Sequence, residues 1–200
     1  IRDYLNCEEP WKYRQVVDMA ELLSRDGKKL LVWSSFIGNL AGLRRYLAKY
    51  KPALIYGALS REERTEELER FRNDPDCSVL LTNPQTLGEG VSLHKACHDA
   101  VYVDRSFNAG HYLQSVDRIH RLGLPSGTET KITFLQTAGS VDTKVSERVK
   151  HKVANLAKFL DDASLAQAAI PAGDEIPAED ALGLTDEDFA SVMSYLGGES

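Results

Sequence analysis

Apolar residues along this chain follow two alternating rhythms. Short runs of strand length, KLLVWSSF (29–36), ALIYG (53–57), CSVLLT (77–82), AVYVD (100–104) and TKITFLQT (130–137), are apolar on both faces. Between them lie stretches with helical spacing. The first, 10–27, opens on Pro10, carries Val16, Met19, Ala20 and Leu23 on one stripe and stops at Gly27. The second, 40–50, repeats through Leu40, Leu43, Tyr46 and Leu47. The third, 60–71, begins with Ser60 and Glu63 at capping-box spacing. A short helix over 110–123 and a long one over 141–160 complete the series. Doubly buried strands alternating with amphipathic helices predict a doubly wound α/β domain with a mainly parallel sheet covered on both faces.

The rhythm stops near Asp162. Residues 163–200 read as an acidic linker rich in Ala and Pro followed by a short terminal helix, so the predicted organisation is a domain over 1–162 and an extension over 163–200. The formal charge of −6 hides this division. Residues 161–200 hold ten Asp or Glu and no Lys or Arg, which leaves residues 1–160 net basic by four. A mildly basic body accommodates a polyanionic partner without demanding one. Three widely spaced cysteines, Cys7, Cys77 and Cys97, suit a reducing, intracellular compartment better than a disulfide framework. The sequence has no apolar run of membrane-spanning length, so no membrane partner is expected. It begins with neither Met nor a signal layout, and the expectation is a chain that continues upstream.

The segment GHYLQSVDRIHRLG (110–123) carries the densest polar chemistry. At 100° per residue, Gln114, Arg118 and Arg121 fall within about 60° of one another, with Tyr112, Val116 and Ile119 on the opposite side. Such a ridge is either an ordinary solvated surface or a grip for an anion. Arginine suits the second role because its planar fork donates two parallel bonds to phosphate oxygens and keeps its charge. Asp117 stands four residues before Arg121, where it can steady it.

A second candidate is TLGEGVSL (86–93), directly after a strand run, where Gly88 and Gly90 allow backbone amides to approach an oxyanion. Glu89 between them suits a metal-bound water, a ribose or a partner loop better than a phosphate. Both candidates follow strands of one parallel sheet, at the edge where α/β domains bind ligands. The sequence contains no G-x-x-x-x-G-K-[ST] and no strand ending in an Asp-Glu pair to organise magnesium. With neither Walker motif, this chain alone is predicted to be inactive toward ATP. Arginines suited to a γ-phosphate, without a phosphate loop, fit a domain that supplies arginine fingers to another. His94, Cys97 and His98 have zinc-ligand types, but a closed site needs four ligands and no second pair lies nearby, so no metal is expected. His120 fits a hydrogen-bonding role, and His111 and His151 read as surface residues.

These residues resemble the C-terminal RecA-like lobe of superfamily 2 helicases, the second lobe of a P-loop NTPase-type motor, and within it the Snf-type DNA translocases. LLVWSSF resembles the family's motif IV, TNPQTLGEGVSL its motif V, and QSVDRIHRLG its motif VI pattern Gln-x-x-Asp-Arg-x-His-Arg-x-Gly, matched at every fixed position. The likeness runs from about residue 10 to residue 160. DRSFNAGHY lacks the family's Trp-Asn-Pro, and Leu124 stands where Gln is usual.

The resemblance implies that Arg118 and Arg121 reach the γ-phosphate of ATP, held with Mg2+ mainly by an N-terminal RecA-like lobe, and that Gln114 supports that interface. It places Gly88, Glu89 and Gly90 in the loop coupling nucleotide state to nucleic acid. It also implies duplex DNA as partner, with Ser34, Ser35, Gln85 and Thr86 as candidates for contacting its backbone. Two further readings accompany it. One is a non-catalytic α/β module that binds nucleic acid or a protein; the other is an acidic tail that competes with DNA for the basic body.

Overall fold

Five apolar runs pair into one parallel sheet: β1 (Leu30–Trp33), β2 (Ala53–Ile55), β3 (Val79–Thr82), β4 (Asp99–Tyr102) and β5 (Lys131–Phe134), in the order β2-β3-β1-β4-β5. The computed structural model describes residues 9–87, 91–119 and 129–159. Its α-helices there are α1 (Trp11–Arg25), α2 (Ile37–Tyr46), α3 (Arg61–Asn73), α4 (Ala109–Val116) and α5 (Val141–Phe159), with a 3-10 turn at Ala48–Tyr50. The predicted boundary near Asp162 and the acidic extension lie outside the described residues. Among the described residues, no helix is long and apolar enough to cross a membrane.

The chain divides into two compact units. One is Ile1–Asp104 with Asp117–Leu135; the other is Arg105–Val116 with Gln136–Ser200. The first holds the whole sheet. The pleat of its strands sorts their side chains to two faces. Leu30 and Val32, Val79 and Leu81, and Val101 and Val103 join Tyr13, Val16 and Ala20 of α1 and Leu40 and Leu43 of α2 in one core. The opposite face carries an aromatic row set by the register Trp33↔Tyr102↔Phe134. Ring centroids are 6.1 Å apart for Trp33 and Tyr102 and 5.1 Å for Tyr102 and Phe134. The chain moves outward from β1 to β2 and back to β3, so right-handed crossovers put α2 and α3 on opposite faces. The sheet is therefore doubly wound, as the alternating rhythm predicts.

The helices form where capping and spacing direct them. Ser60 and Glu63 close a complete capping box on α3, worth about 1 kcal/mol. The polar face of α3 also completes the sheet edge: Glu67 accepts the Leu54 amide at 2.7 Å, and Arg70 donates to the carbonyls of Lys51 and Pro52. Edge strand β2 is thereby shielded from pairing with another chain. α1 lies close on α2 because Gly42 has no side chain, since a Cβ there would stand 2.7 Å from the Tyr13 hydroxyl.

In the second unit, Asn108 caps α4 through the His111 amide at 3.1 Å, and the Ser140 hydroxyl accepts the Asp142 amide at the start of α5. Arg105 donates to the Ser146 hydroxyl and lies over the Tyr112 ring, while buried Lys152 donates to the Phe107 carbonyl at 3.3 Å. The helix predicted over 110–123 is shorter among the described residues. It ends at Val116, and Asp117–Ile119 form a turn.

Candidate active site and nucleic-acid edge

Adjacent strands β1 and β4 send their chains in opposite directions, β1 toward β2 and β4 toward β5, so the topological switch point lies between their carboxyl ends. Doubly wound domains place ligands there. In this protein the crevice is spanned by Asp104. Its carboxylate accepts the Ser34 hydroxyl, the Ser35 amide at 2.7 Å and the Asn39 side-chain amide at 3.0 Å. Asn39 in turn accepts the Tyr13 hydroxyl at 3.1 Å. Burial and, after it, the charge of Asp104 raise the Tyr13 hydroxyl above its ordinary pKa, so it remains a donor. Lys12 of α1 donates to the Val103 carbonyl at 2.9 Å, one residue before Asp104. Asp104 belongs to none of the motifs the sequence displays. Its only signal was an acid directly after an apolar strand, a position that many solvated carboxylates share.

The four backbone-contact candidates divide in two. Ser34 and Thr86 are buried, with Ser34 at 0% exposure and its hydroxyl turned to Asp104. The Thr86 amide closes an Asx turn on Asn83 at 3.1 Å. Ser35 is partly exposed and Gln85 exposed, at the carboxyl ends of neighbouring strands β1 and β3. The Ser34 hydroxyl is therefore turned inward rather than toward solvent. Phe36, 62% exposed beside Ser35, escaped the sequence reading because it closes an apolar run.

The ridge of Gln114, Arg118 and Arg121 is also revised. Gln114 is exposed on α4, and Asp117 is exposed in the turn after it. Arg118 does not project into solvent: it is 6% exposed and donates to the Val91 carbonyl at 3.2 Å. Its own carbonyl accepts the Leu93 amide at 2.8 Å, and Arg72 holds the Ser92 carbonyl at 3.1 Å. The helical projection failed because α4 stops at Val116, so the 100° step does not extend to Arg118. What the sequence set apart as two motifs is one tied structure, with Val91–Leu93 fastened to the Arg118 turn. Gly88, Glu89, Gly90, His120 and Arg121 lie outside the described residues.

Cys97 of the HKACH segment is buried, its thiol donating to the carbonyls of Lys29 and Asp99 at 3.1 Å each. Burial pushes that thiol up to about 12, well into the protonated range. Among the described residues, no three His, Cys, Asp or Glu side chains converge as a metal-ligand set.

With this geometry established, similarity to known proteins decides the family. The family described as helicase conserved C-terminal domain matches residues 11–123. The chain belongs to that family. Within it the likeness is to the SWI2/SNF2 type. The chain is 30% identical to human DNA annealing helicase and endonuclease ZRANB3 over 124 residues, covering 61% of this chain and 11% of that protein. The C-terminal part of the Fun30 ATPase domain superposes with a TM-score of 0.61 at 24% identity, covering 69% of this chain and 44% of that one. The Sulfolobus solfataricus SWI2/SNF2 ATPase core in complex with dsDNA gives 0.56 at 18% identity, covering 82% and 36%. These two superpositions show a shared RecA-like lobe fold. The chain spans about a tenth of the length of the curated relatives it matches.

Proposed function

We propose that this helicase C-terminal domain is the second motor lobe of an ATP-dependent translocase on duplex DNA. A first RecA-like lobe holds ATP and Mg2+, and this lobe supplies Arg121 to the γ-phosphate. Charge stabilisation by such an arginine typically accelerates phosphoryl transfer by 10³–10⁵. Arg118 ties the Val91–Leu93 segment to the stretch carrying Arg121, so movement at the nucleotide is passed to the loop of Gly88, Glu89 and Gly90. Gln114 and Asp117 support the lobe interface. Ser35 and Gln85 face the phosphate backbone from the carboxyl edge, with Ser34 and Thr86 shaping their loops from within.

The observation that carries this reading is the filled switch point. Where a doubly wound domain seats its own nucleotide, this lobe places the carboxylate of Asp104, bonded across to the β1–α2 loop. The sequence offers no phosphate loop that would seat a nucleotide in that crevice. The names of similar proteins, helicases and a DNA-bound ATPase core, support the same assignment. The purified 200-residue chain is expected to show no ATP turnover, with or without duplex DNA, in a phosphate-release assay. Robust hydrolysis by this chain alone would overturn the proposal.

A further inference from the structure

The switch-point carboxylate has a second consequence, which rests on the nucleic-acid edge proposed above. Asp104 takes donors from two consecutive residues of the β1–α2 loop, the Ser34 hydroxyl and the Ser35 amide, and from Asn39 in the first turn of α2. The Ser34 hydroxyl also accepts the Phe36 amide at 3.1 Å. The loop is anchored below by the β1 ladder, which continues through the Ser34 amide to Thr82 at 3.1 Å, and Val103 holds the Trp33 carbonyl at 2.9 Å. With both ends fixed, Ser34 faces inward while Ser35 is partly exposed and Phe36 and Ile37 are 62% and 50% exposed. The Tyr13 hydroxyl on Asn39 extends the brace to α1, and Gly42 leaves room for that ring.

We infer that Asp104 is a positioning residue that bridges the crevice between β1 and β4 and holds the Ser35–Phe36 loop in the conformation that meets the nucleic-acid backbone. Its charge opposes that task. A carboxylate beside a phosphate-binding edge weakens binding through repulsion, so if Asp104 had no positioning role, neutralising it would tighten the complex. Positioning predicts the opposite sign.

Four forms of the 200-residue chain separate these cases: wild type, Asp104→Ala, Asp104→Asn, and Asp104→Asn combined with Asn39→Asp. In the double variant the new amide at position 104 donates to the new carboxylate at position 39. That carboxylate still accepts Tyr13, the 104 carbonyl oxygen still accepts the Ser35 amide, and net charge equals wild type. Amide hydrogen exchange reads the loop directly, and fluorescence anisotropy with a short duplex at low salt reads DNA binding.

Asp104→Ala is expected to speed exchange at the Ser35 and Phe36 amides at least about tenfold while the β3 amides keep wild-type protection. Asp104→Asn is expected to weaken duplex binding roughly fivefold, and the double variant to restore both readouts. Unchanged exchange at Ser35 in Asp104→Ala overturns the inference, as does tighter duplex binding by Asp104→Asn. If Asp104→Ala does not fold, the exchange of Asp104→Asn against the double variant decides the same point. A wild-type chain that binds no duplex, with a Ser35 amide that still loosens in Asp104→Ala, leaves Asp104 as the holder of the loop and rejects the nucleic-acid reading instead.

Discussion

The two edges of the sheet use charge in opposite ways. At the amino edge, Lys29 donates to the Phe71 carbonyl, to Asp74 at 2.8 Å and to Cys77 at 3.1 Å, closing the end of α3 onto the start of β3. A cleft there is lined by Lys28, Lys29, Lys49, Arg72 and Asp76, a basic group that resembles an anion site. Most of its charges are committed: Arg72 to Glu69 and the Ser92 carbonyl, Lys49 to Glu21, and Asp76 to Lys51. At the carboxyl edge a single anion, Asp104, holds a loop whose tip stays exposed. A charge spent on backbone that is then buried is architecture. At the carboxyl edge the charge holds backbone whose neighbours, Phe36 and Ile37, face solvent, which is the arrangement the proposed nucleic-acid edge requires.

Breaking the amino edge should affect stability without affecting ligand chemistry. Lys29→Ala leaves three carbonyls without their shared donor, and the expected loss is about 3 kcal/mol in the urea-unfolding free energy. Because Lys29 lies on the far edge, duplex affinity measured where the variant is folded should match wild type. Selective loss of DNA binding by the folded variant would transfer the binding surface to the amino edge and reverse the comparison.

A smaller effect comes from pH. The folded state holds the Cys97 proton up to about 12, above the ordinary thiol value of 9.0, because burial penalises the thiolate. A folded pKa raised above the unfolded one contributes stability that is fully present below the unfolded pKa and is lost as pH rises toward the folded one. The Cys97 contribution should therefore be level through neutral pH and be lost above about pH 9, by up to about 1.4 kcal/mol per pH unit. Urea midpoints of wild type and Cys97→Ala across pH 8 to about 11 isolate that share. Equal alkaline slopes in the two forms would show that the thiol is not the buried proton holder described.

Much of the fold was legible in the sequence because burial and period agree there. Strands such as Leu30–Trp33 and Val79–Thr82 are buried at every residue, and unbroken apolar runs identify them. The Ser60 and Glu63 box fixed the start of α3 in the same direct way. α2 begins at Ile37, three residues before its apolar period, because Ile37, Gly38 and Asn39 cover no core and leave no stripe to read.

The site was less legible because its geometry depends on long-range pairing. Asp104 and Ser34 stand 70 residues apart, and only the β1–β4 register brings them together. Arg118 was identified by residue type and motif, yet its direction depends on where α4 stops and on a carbonyl 27 residues away. Periodicity describes a helix while it lasts and says nothing about the turn beyond it.

The most direct test of the central claim is Arg121→Ala in a two-lobed protein carrying this domain beside a lobe that binds ATP. Binding of a fluorescent ATP analogue and DNA-stimulated phosphate release are measured on the same preparation. The account predicts near wild-type nucleotide affinity with turnover reduced about a thousandfold or more, as loss of an arginine finger produces. Turnover equal to wild type would contradict it.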